Sequence, residues 1–383
     1  MSTDSFTERS SRSWFGRIGS SIKGILFGLI LFAISFFVLW TNEGRSVRQY
    51  RALNEGAGTV ISVQASTVES SNEGKLVHIG GEATTDNTLS DKEFGIEETA
   101  LRLRRSVQMF QWEEDVDSTT KKNMGGGTET VKTYKYDKKW NSSLIPSSAF
   151  NKSDGHQNPG SMPFKSKNFH AKSVTLGAFK LNSTQVGMVD SFQDLALTSD
   201  LKLAESVQGN ATISPSQIYI GDSESTPAIG DIRIRFKIVK PTEVSLVALQ
   251  HGDSFQAYTA ENGNSIQLLQ IGSHSAESMF ERAQSDNAIL TWILRGVGFI
   301  CMAFGLSLIA RPLSVVGDII PFIGSMVGMV TGLASILLAG FLSMVTIGIA
   351  WVAYRPILGI SVLAVAGVLG LLAIKARKKV AIS

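Results

Sequence analysis

The sequence predicts a membrane α-helical protein with four spans and a large β-rich extramembrane domain inserted between spans 1 and 2. Three observations predict it. Apolar runs free of charge, long enough to cross a bilayer core with roughly 20 helical residues, stand at one end of the chain and again at the other. Between them, residues 43–288 carry short stretches of period-two alternation rich in β-branched residues, the pattern of half-buried strands. Charged residues make up only 18% of the 383, below the roughly 25% of an ordinary soluble domain. A disordered chain and a strongly basic nucleic-acid binder are both disfavoured, since the net charge is only +3.

Taken in order, residues 1–23 form a basic tail with Arg9, Arg12, Arg17 and Lys23. Span 1 covers 24–42 between Lys23 and Glu43. It is a retained anchor rather than a signal peptide: its apolar stretch exceeds the usual ~7–15 residues, and Val38-Leu39-Trp40-Thr41 is no small-residue cleavage site. Span 2 covers 289–310 with Arg295 inside it, and amphipathic residues 275–287 form a helix that runs into it. The uncharged run 319–354 is too long for one span. Residues 311–328 are therefore expected as a short cytoplasmic or interfacial segment, with a re-entrant approach over 319–328, and span 3 as 329–353. Arg355-Pro356 makes a tight turn into span 4, residues 356–374, because proline suits the first helical position. A basic tail with Lys375, Arg377, Lys378 and Lys379 ends the chain. Basic flanks at both ends predict cytoplasmic termini and a non-cytosolic domain over 43–288, although Arg45, Arg48 and Arg51 weigh against it.

Within that domain, strands are expected at 59–63, 75–79, 101–109, 128–140, 173–180, 217–220, 231–239, 243–250, 255–259 and 265–271. Arg105 interrupts the apolar side of 101–109, which suggests a bulge or an edge. Residues 117–127 read as the polar connection of a hairpin, and 141–167 as a long ordered loop.

No catalytic or metal signature appears, and no cofactor is expected. The single Cys301 allows no internal disulfide and no Cys-cluster zinc site. None of the five histidines has metal-ligand spacing. His78 reads as a satisfied structural histidine, and His156 as a residue that pins its loop by a hydrogen bond rather than as a catalyst. There is no G-x-S-x-G elbow, and Gly125–Gly127 lacks the G-K-[ST] of a P-loop. Tyr134, Tyr136 and Trp140 beside Lys132, Lys135, Lys138 and Lys139 read as a solvated strand face, so no nucleic acid is expected as a partner. Gly24 with Gly28, and Gly324, Gly328 and Gly332, form G-x-x-x-G steps that let membrane helices approach closely. Whether they pack within the chain or between copies stays open. Arg45, Arg48 and Arg51 are expected at the membrane interface beside Trp40, and so is Arg295, snorkelling or pairing near Asp286.

The arrangement resembles the transmembrane protein 43 (LUMA) family. The resemblance rests on Asn72-Glu73-Gly74-Lys75-Leu76-Val77-His78-Ile79, on Leu101-Arg102-Leu103-Arg104-Arg105-Ser106-Val107-Gln108-Met109-Phe110-Gln111-Trp112 and on Gly155-His156-Gln157-Asn158-Pro159. Gly230-Asp231-Ile232-Arg233-Ile234 and Tyr354-Arg355-Pro356 also fit. It spans nearly the whole chain. The resemblance implies a multi-pass protein with a lumenal or periplasmic domain, and self-association. In eukaryotic members it implies residence in the endoplasmic reticulum and inner nuclear membrane, with lamins and emerin as partners. It carries over no enzymatic residue. The compact connections and basic tail suit a bacterial relative in the inner membrane with a periplasmic domain. The expected function is a non-enzymatic scaffold that self-associates and binds protein or lipid partners; the alternative is a channel or transporter component.

Overall fold

The computed structural model describes residues 4–205, 207–357 and 359–361. They form two compact units. Within the described residues, a β-rich unit holds 4–8, 55–119 and 131–281, and a helical unit holds 9–54, 120–130 and 282–361.

The strands are β1 (Asp4–Arg12), β2 (Ile61–Ser62), β3 (Leu76–Thr84), β4 (Thr88–Asp91), β5 (Ile96–Thr99), β6 (Arg102–Lys122) and β7 (Thr128–Asn141). They continue as β8 (Lys167–His170), β9 (Val174–Leu176), β10 (Phe179–Leu181), β11 (Gln193–Asp194), β12 (Ala211–Ser214), β13 (Gln217–Ile220) and β14 (Ile232–Val239). The last are β15 (Thr242–His251), β16 (Ser254–Gln256), β17 (Tyr258–Thr259), β18 (Ser265–Ile266) and β19 (Leu268–Ile271).

An eight-stranded sheet runs β1-β7-β6-β14-β13-β12, with β8 on β6 and β11 on β14. A second sheet closes on itself. β3 pairs with β15, β15 with β16, β16 with β10, β10 with β9, and β9 with β3, and β2 and β19 are attached outside the ring. Closure removes exposed edges that would otherwise template further pairing. The core is apolar and aromatic. Phe94 packs against Phe164 and Phe236, Phe179 stacks on Phe255, and Leu103, Val107, Ile234 and Leu246 fill the space around them. Leu103, Val107, Ile234 and Phe236 are alternating positions of β6 and β14, so the period-two pattern builds this part of the core directly, whereas β15 is buried without a break from Val244 to Ala248.

Arg105 makes neither a bulge nor an edge. β6 pairs residue for residue with β14 from Arg102↔Val239 to Met109↔Ile232, with β8 on its other side. The buried guanidinium is neutralised by Asp91 at 2.9 Å and Glu93 at 2.7 Å, which lets a cation occupy an inward position. The hairpin connection is also shorter than expected. β6 continues to Lys122, and the turn tightens over 123–127, where Gly125 and Gly126 supply positive φ. β17 and β18 pair as a separate two-stranded ribbon and so break up the two expected C-terminal strands.

Four α-helices are present among the described residues: α1 (Trp14–Thr59), the short α2 (Ser183–Met188), α3 (Ala276–Gly317) and α4 (Pro321–Tyr354). A capping box, in which Asn182 and Gln185 bond each other's backbone N–H, starts α2 in the β-rich unit. Among the described residues, three helices are long and apolar enough to cross a membrane: α1, α3 and α4. Spans 1, 2 and 3 fall within them. Residues 356, 357 and 359–361 are described, and the remainder of the expected span 4 lies outside the described residues. α1 runs far past its apolar stretch, to Thr59, because 43–59 holds no proline. The expected separate segment 311–328 divides between helices: 311–317 ends α3, and α4 begins at Pro321, whose missing N–H costs nothing at N1.

Candidate functional site

Inside the helical unit, the ends of the apolar stretches meet at a polar cluster. Glu43 on α1 is 1% exposed. Arg295 of α3 donates to it twice, Nε to Oε1 at 2.6 Å and an Nη to Oε2 at 2.9 Å, and Trp351 Nε1 of α4 donates to Oε2 at 2.9 Å. The Arg295 guanidinium also lies over the rings of Trp292 and Trp351. Three helices thus converge on one carboxylate. The expected partner of Arg295, Asp286, instead bonds Arg282 one turn away. Glu43 wins because it is buried: a bidentate pair holds far better where water does not compete.

Two residues further along α1, Arg45 donates to Asn287 Oδ1 at 2.9 Å, Thr291 Oγ1 at 3.0 Å and Asn42 Oδ1 at 3.2 Å. Asn42 donates to the Thr291 carbonyl, Asn287 to the Ser46 carbonyl, and Thr291 to Ser46 Oγ. Arg45 is therefore a half-buried strut between α1 and α3 rather than a group at the surface. Arg48 and Arg51 are exposed, and Arg51 donates to the Tyr354 carbonyl at 3.0 Å.

The small residues divide. A Cβ at Gly28 would stand 2.8 Å from the Gly305 carbonyl, and one at Gly305 would stand 2.8 Å from the Gly28 carbonyl, so α1 and α3 touch backbone to backbone there. Gly324 lies against Asp318 and Gly328 against Ser314, both contacts within this chain. Among the described residues, Gly24 and Gly332 have nothing within 4 Å of an added Cβ.

Sequence reasoning missed a second polar site in the helical unit. Asp318, between α3 and α4, is 0% exposed and accepts from Arg17 and from Lys122 Nζ, the latter at 2.6 Å. Trp14 Nε1 donates to the Val315 carbonyl at 2.8 Å, and Gly125 N–H to the Ile319 carbonyl at 3.1 Å. The hairpin tip, residues 120–130, therefore meets the amino end of α1 and the α3–α4 turn. The charge rule puts the tip on one side of the bilayer and those residues on the other. Exposed Asp117 and Lys121 cannot lie in hydrocarbon, so the two assignments exclude one another for a single chain in lipid.

In the β-rich unit His78 and His156 are held by packing and hydrogen bonds. His156, 1% exposed, stacks on Tyr136 at 3.8 Å, meets Trp112 edge-on and bonds the Lys152 carbonyl through Nδ1. His78 bonds Ser62 Oγ and the His274 carbonyl. Tyr134 and Tyr136 are buried rather than on a solvated face. Burial, then a hydrogen bond to Glu114, pushes the Tyr136 phenol up to about 12.

The comparisons with known proteins agree with this architecture. The family model for transmembrane protein 43 matches residues 109–356. Transmembrane protein 43 of Homo sapiens is 31% identical over 359 residues, 91% of this chain and 88% of the human protein. That of Pongo abelii is 32% identical over 366 residues, 92% and 88% of the two chains. The Drosophila melanogaster homologue is 28% identical over 343 residues, 87% and 89%. These relatives are animal proteins, which leaves the expectation of a bacterial source without support. No solved structure gives a significant match. With three helices fit to cross a membrane and similarity running nearly end to end, the chain is an integral membrane protein and belongs to the transmembrane protein 43 family.

Proposed function

We propose that the chain is a non-enzymatic membrane scaffold that self-associates through its helices and offers its β-rich unit to protein or lipid partners. The observation that carries this reading is the open face of α4. Among the described residues nothing lies against Gly332, and Met329, Leu333 and Ile336 beside it are exposed. A glycine in such a face lets a second helix approach closely in lipid. The test is Gly332→Leu in the full chain, reconstituted in lipid and read by cross-linking and native gels. A shift to smaller species with normal insertion is expected. An oligomer distribution identical to wild type would remove self-association through this face.

A channel or transporter component is the second reading, favoured by the buried ion pair Glu43–Arg295 with Asn42, Ser46 and Thr291 beside it. Conductance in reconstituted liposomes that is altered by Glu43→Gln would favour it over the scaffold.

The side of the membrane on which the β-rich unit works is decided by impermeant labelling in a Cys301→Ser background, with cysteines at Ser118 and, separately, at Ser13. We propose a non-cytosolic unit with cytoplasmic termini. Labelling of both positions from the same side would overturn that topology in favour of the hairpin-tip contact.

A further inference from the structure

We propose that a cleft at the carboxyl end of α4 binds the phosphate headgroup of an anionic glycerophospholipid, with Arg51 and Arg355 as the phosphate ligands. The cleft has a volume of about 670 Å³ and is lined by Val47, Tyr50 and Arg51 of α1 and by Arg355, Pro356 and Ile357 beyond α4. This rests on the lipid half of the scaffold reading and names the class of lipid and its site.

The chemistry of the lining is mixed in a particular way. Two guanidinium groups face one space, and among the described residues neither has a carboxylate within ion-pair distance. Arg51 uses one N–H on the Tyr354 carbonyl, which fixes its side chain and leaves its other donors available. Arg355 lies 6.0 Å from the centroid of the Tyr50 ring, and the half-exposed Tyr50 brings a hydroxyl to the same cleft. Guanidinium donors match a phosphate in fork geometry, so two of them converging in one cleft select a phosphate over a zwitterion that brings its own cation.

The level of the cleft along the helices selects a lipid rather than a soluble phosphate. Trp40 contacts Tyr354 at 5.6 Å, and Trp351 lies within the same turn of α4 as Tyr354. Aromatic residues gather where hydrocarbon gives way to headgroups. The apolar stretch 24–42 of α1 ends at Glu43, one turn before Val47, so the arginines stand just outside the hydrocarbon. Exposed Ile357 and Pro356 with buried Val47 supply an apolar wall against which the glycerol and the first acyl carbons can lie.

The experiment uses the full chain released from mixed-lipid nanodiscs into native mass spectrometry, which reads retained lipid and oligomeric state in one spectrum. Wild type is expected to retain phosphatidylglycerol or phosphatidic acid in preference to phosphatidylcholine. Arg51→Gln/Arg355→Gln should lower that retention about tenfold or more, the scale of losing charge-assisted bonds. Arg282→Gln, which removes an exposed positive charge paired elsewhere, should leave it unchanged. Inorganic phosphate at equal concentration should not displace the lipid. Equal retention of phosphatidylcholine, full retention by the double variant, equal loss in the Arg282 variant, or displacement by inorganic phosphate would each overturn the proposal. A Gly332→Leu protein with an unchanged oligomer and selective lipid retention would mean failure of the self-association reading alone, whereas loss of the oligomer with unselective lipid retention would mean failure of this proposal alone.

Discussion

The two units are built inside out relative to each other. In the β-rich unit, large apolar side chains such as Phe94, Phe179 and Phe236 are buried, and charged residues cover the outside. In the helical unit, Leu337, Phe341 and Met344 are exposed, while Asn42, Glu43, Ser46, Asn287, Thr291, Ser335 and Thr346 are buried. One physical rule gives both patterns once the solvent is specified. Water drives apolar surface inward; hydrocarbon does not, so association between helices relies on close backbones and on polar groups that find partners. A buried ion pair also means different things in the two settings. Arg105 is held where an apolar core surrounds it, whereas Arg295 is held where the alternative is lipid.

The sharpest way to break this comparison is at Glu43. Glu43→Leu leaves the half-buried Arg295 unpaired between helices, and we expect a loss of about 3–5 kcal/mol, read from unfolding in micelles. Glu43→Leu/Arg295→Met should recover most of it, because removing both charges also removes the desolvation cost. A double variant as unstable as the single one would show that the pair organises the helices in some further way.

A matched pair of truncations comes next. Phe236→Ala, at a residue 2% exposed, should cost the β-rich unit about 3–5 kcal/mol in chemical denaturation. Phe341→Ala, at a residue 63% exposed, should stay within about 0.5 kcal/mol when the same measurement is made in lipid. Equal losses at the two sites would mean that Phe341 is covered by protein.

Gly28→Val tests the backbone contact between α1 and α3. Overpacking should cost about 1–3 kcal/mol, seen as a lower melting temperature in detergent. An unchanged melting temperature would show that the helices can part without loss.

The smallest effect expected is at Tyr136. Its phenol is held neutral in the fold, so its stabilisation is fully present below its ordinary value of about 10 and is lost as pH rises through about 12. Tyr136→Phe should blunt the alkaline unfolding seen by near-UV circular dichroism above pH 10. A variant with the wild-type alkaline profile would place the sensitivity elsewhere.

How much of this was legible in the sequence depends on the range of the interactions. β13 begins and ends where its residues predict, at Gln217 and Ile220, since alternation and turn signals are local. The apolar stretches were equally legible. β1 was not: Asp4–Arg12 has Phe6 as its one large apolar residue, and its strand form comes from β7, which lies more than a hundred residues away. Arg105 read as an interruption because nothing nearby in its own strand announces that Asp91 returns to it. The Glu43–Arg295 pair joins residues 252 apart, beyond any window. One signal was available, however. Asn287, Thr291 and Arg295 recur every four residues on α3, a polar stripe along an otherwise apolar helix.

That stripe meets Asn42, Glu43, Arg45 and Ser46 rung by rung, and the consequence is mechanical. Sliding α3 along α1 by one turn, about 5.4 Å, would carry each donor past its acceptor and bring side chains into the Gly28–Gly305 backbone contact. The glycine contact and the polar rungs together set one axial position. The two helices are therefore keyed to one another, and a lengthwise shift would break every one of these contacts together.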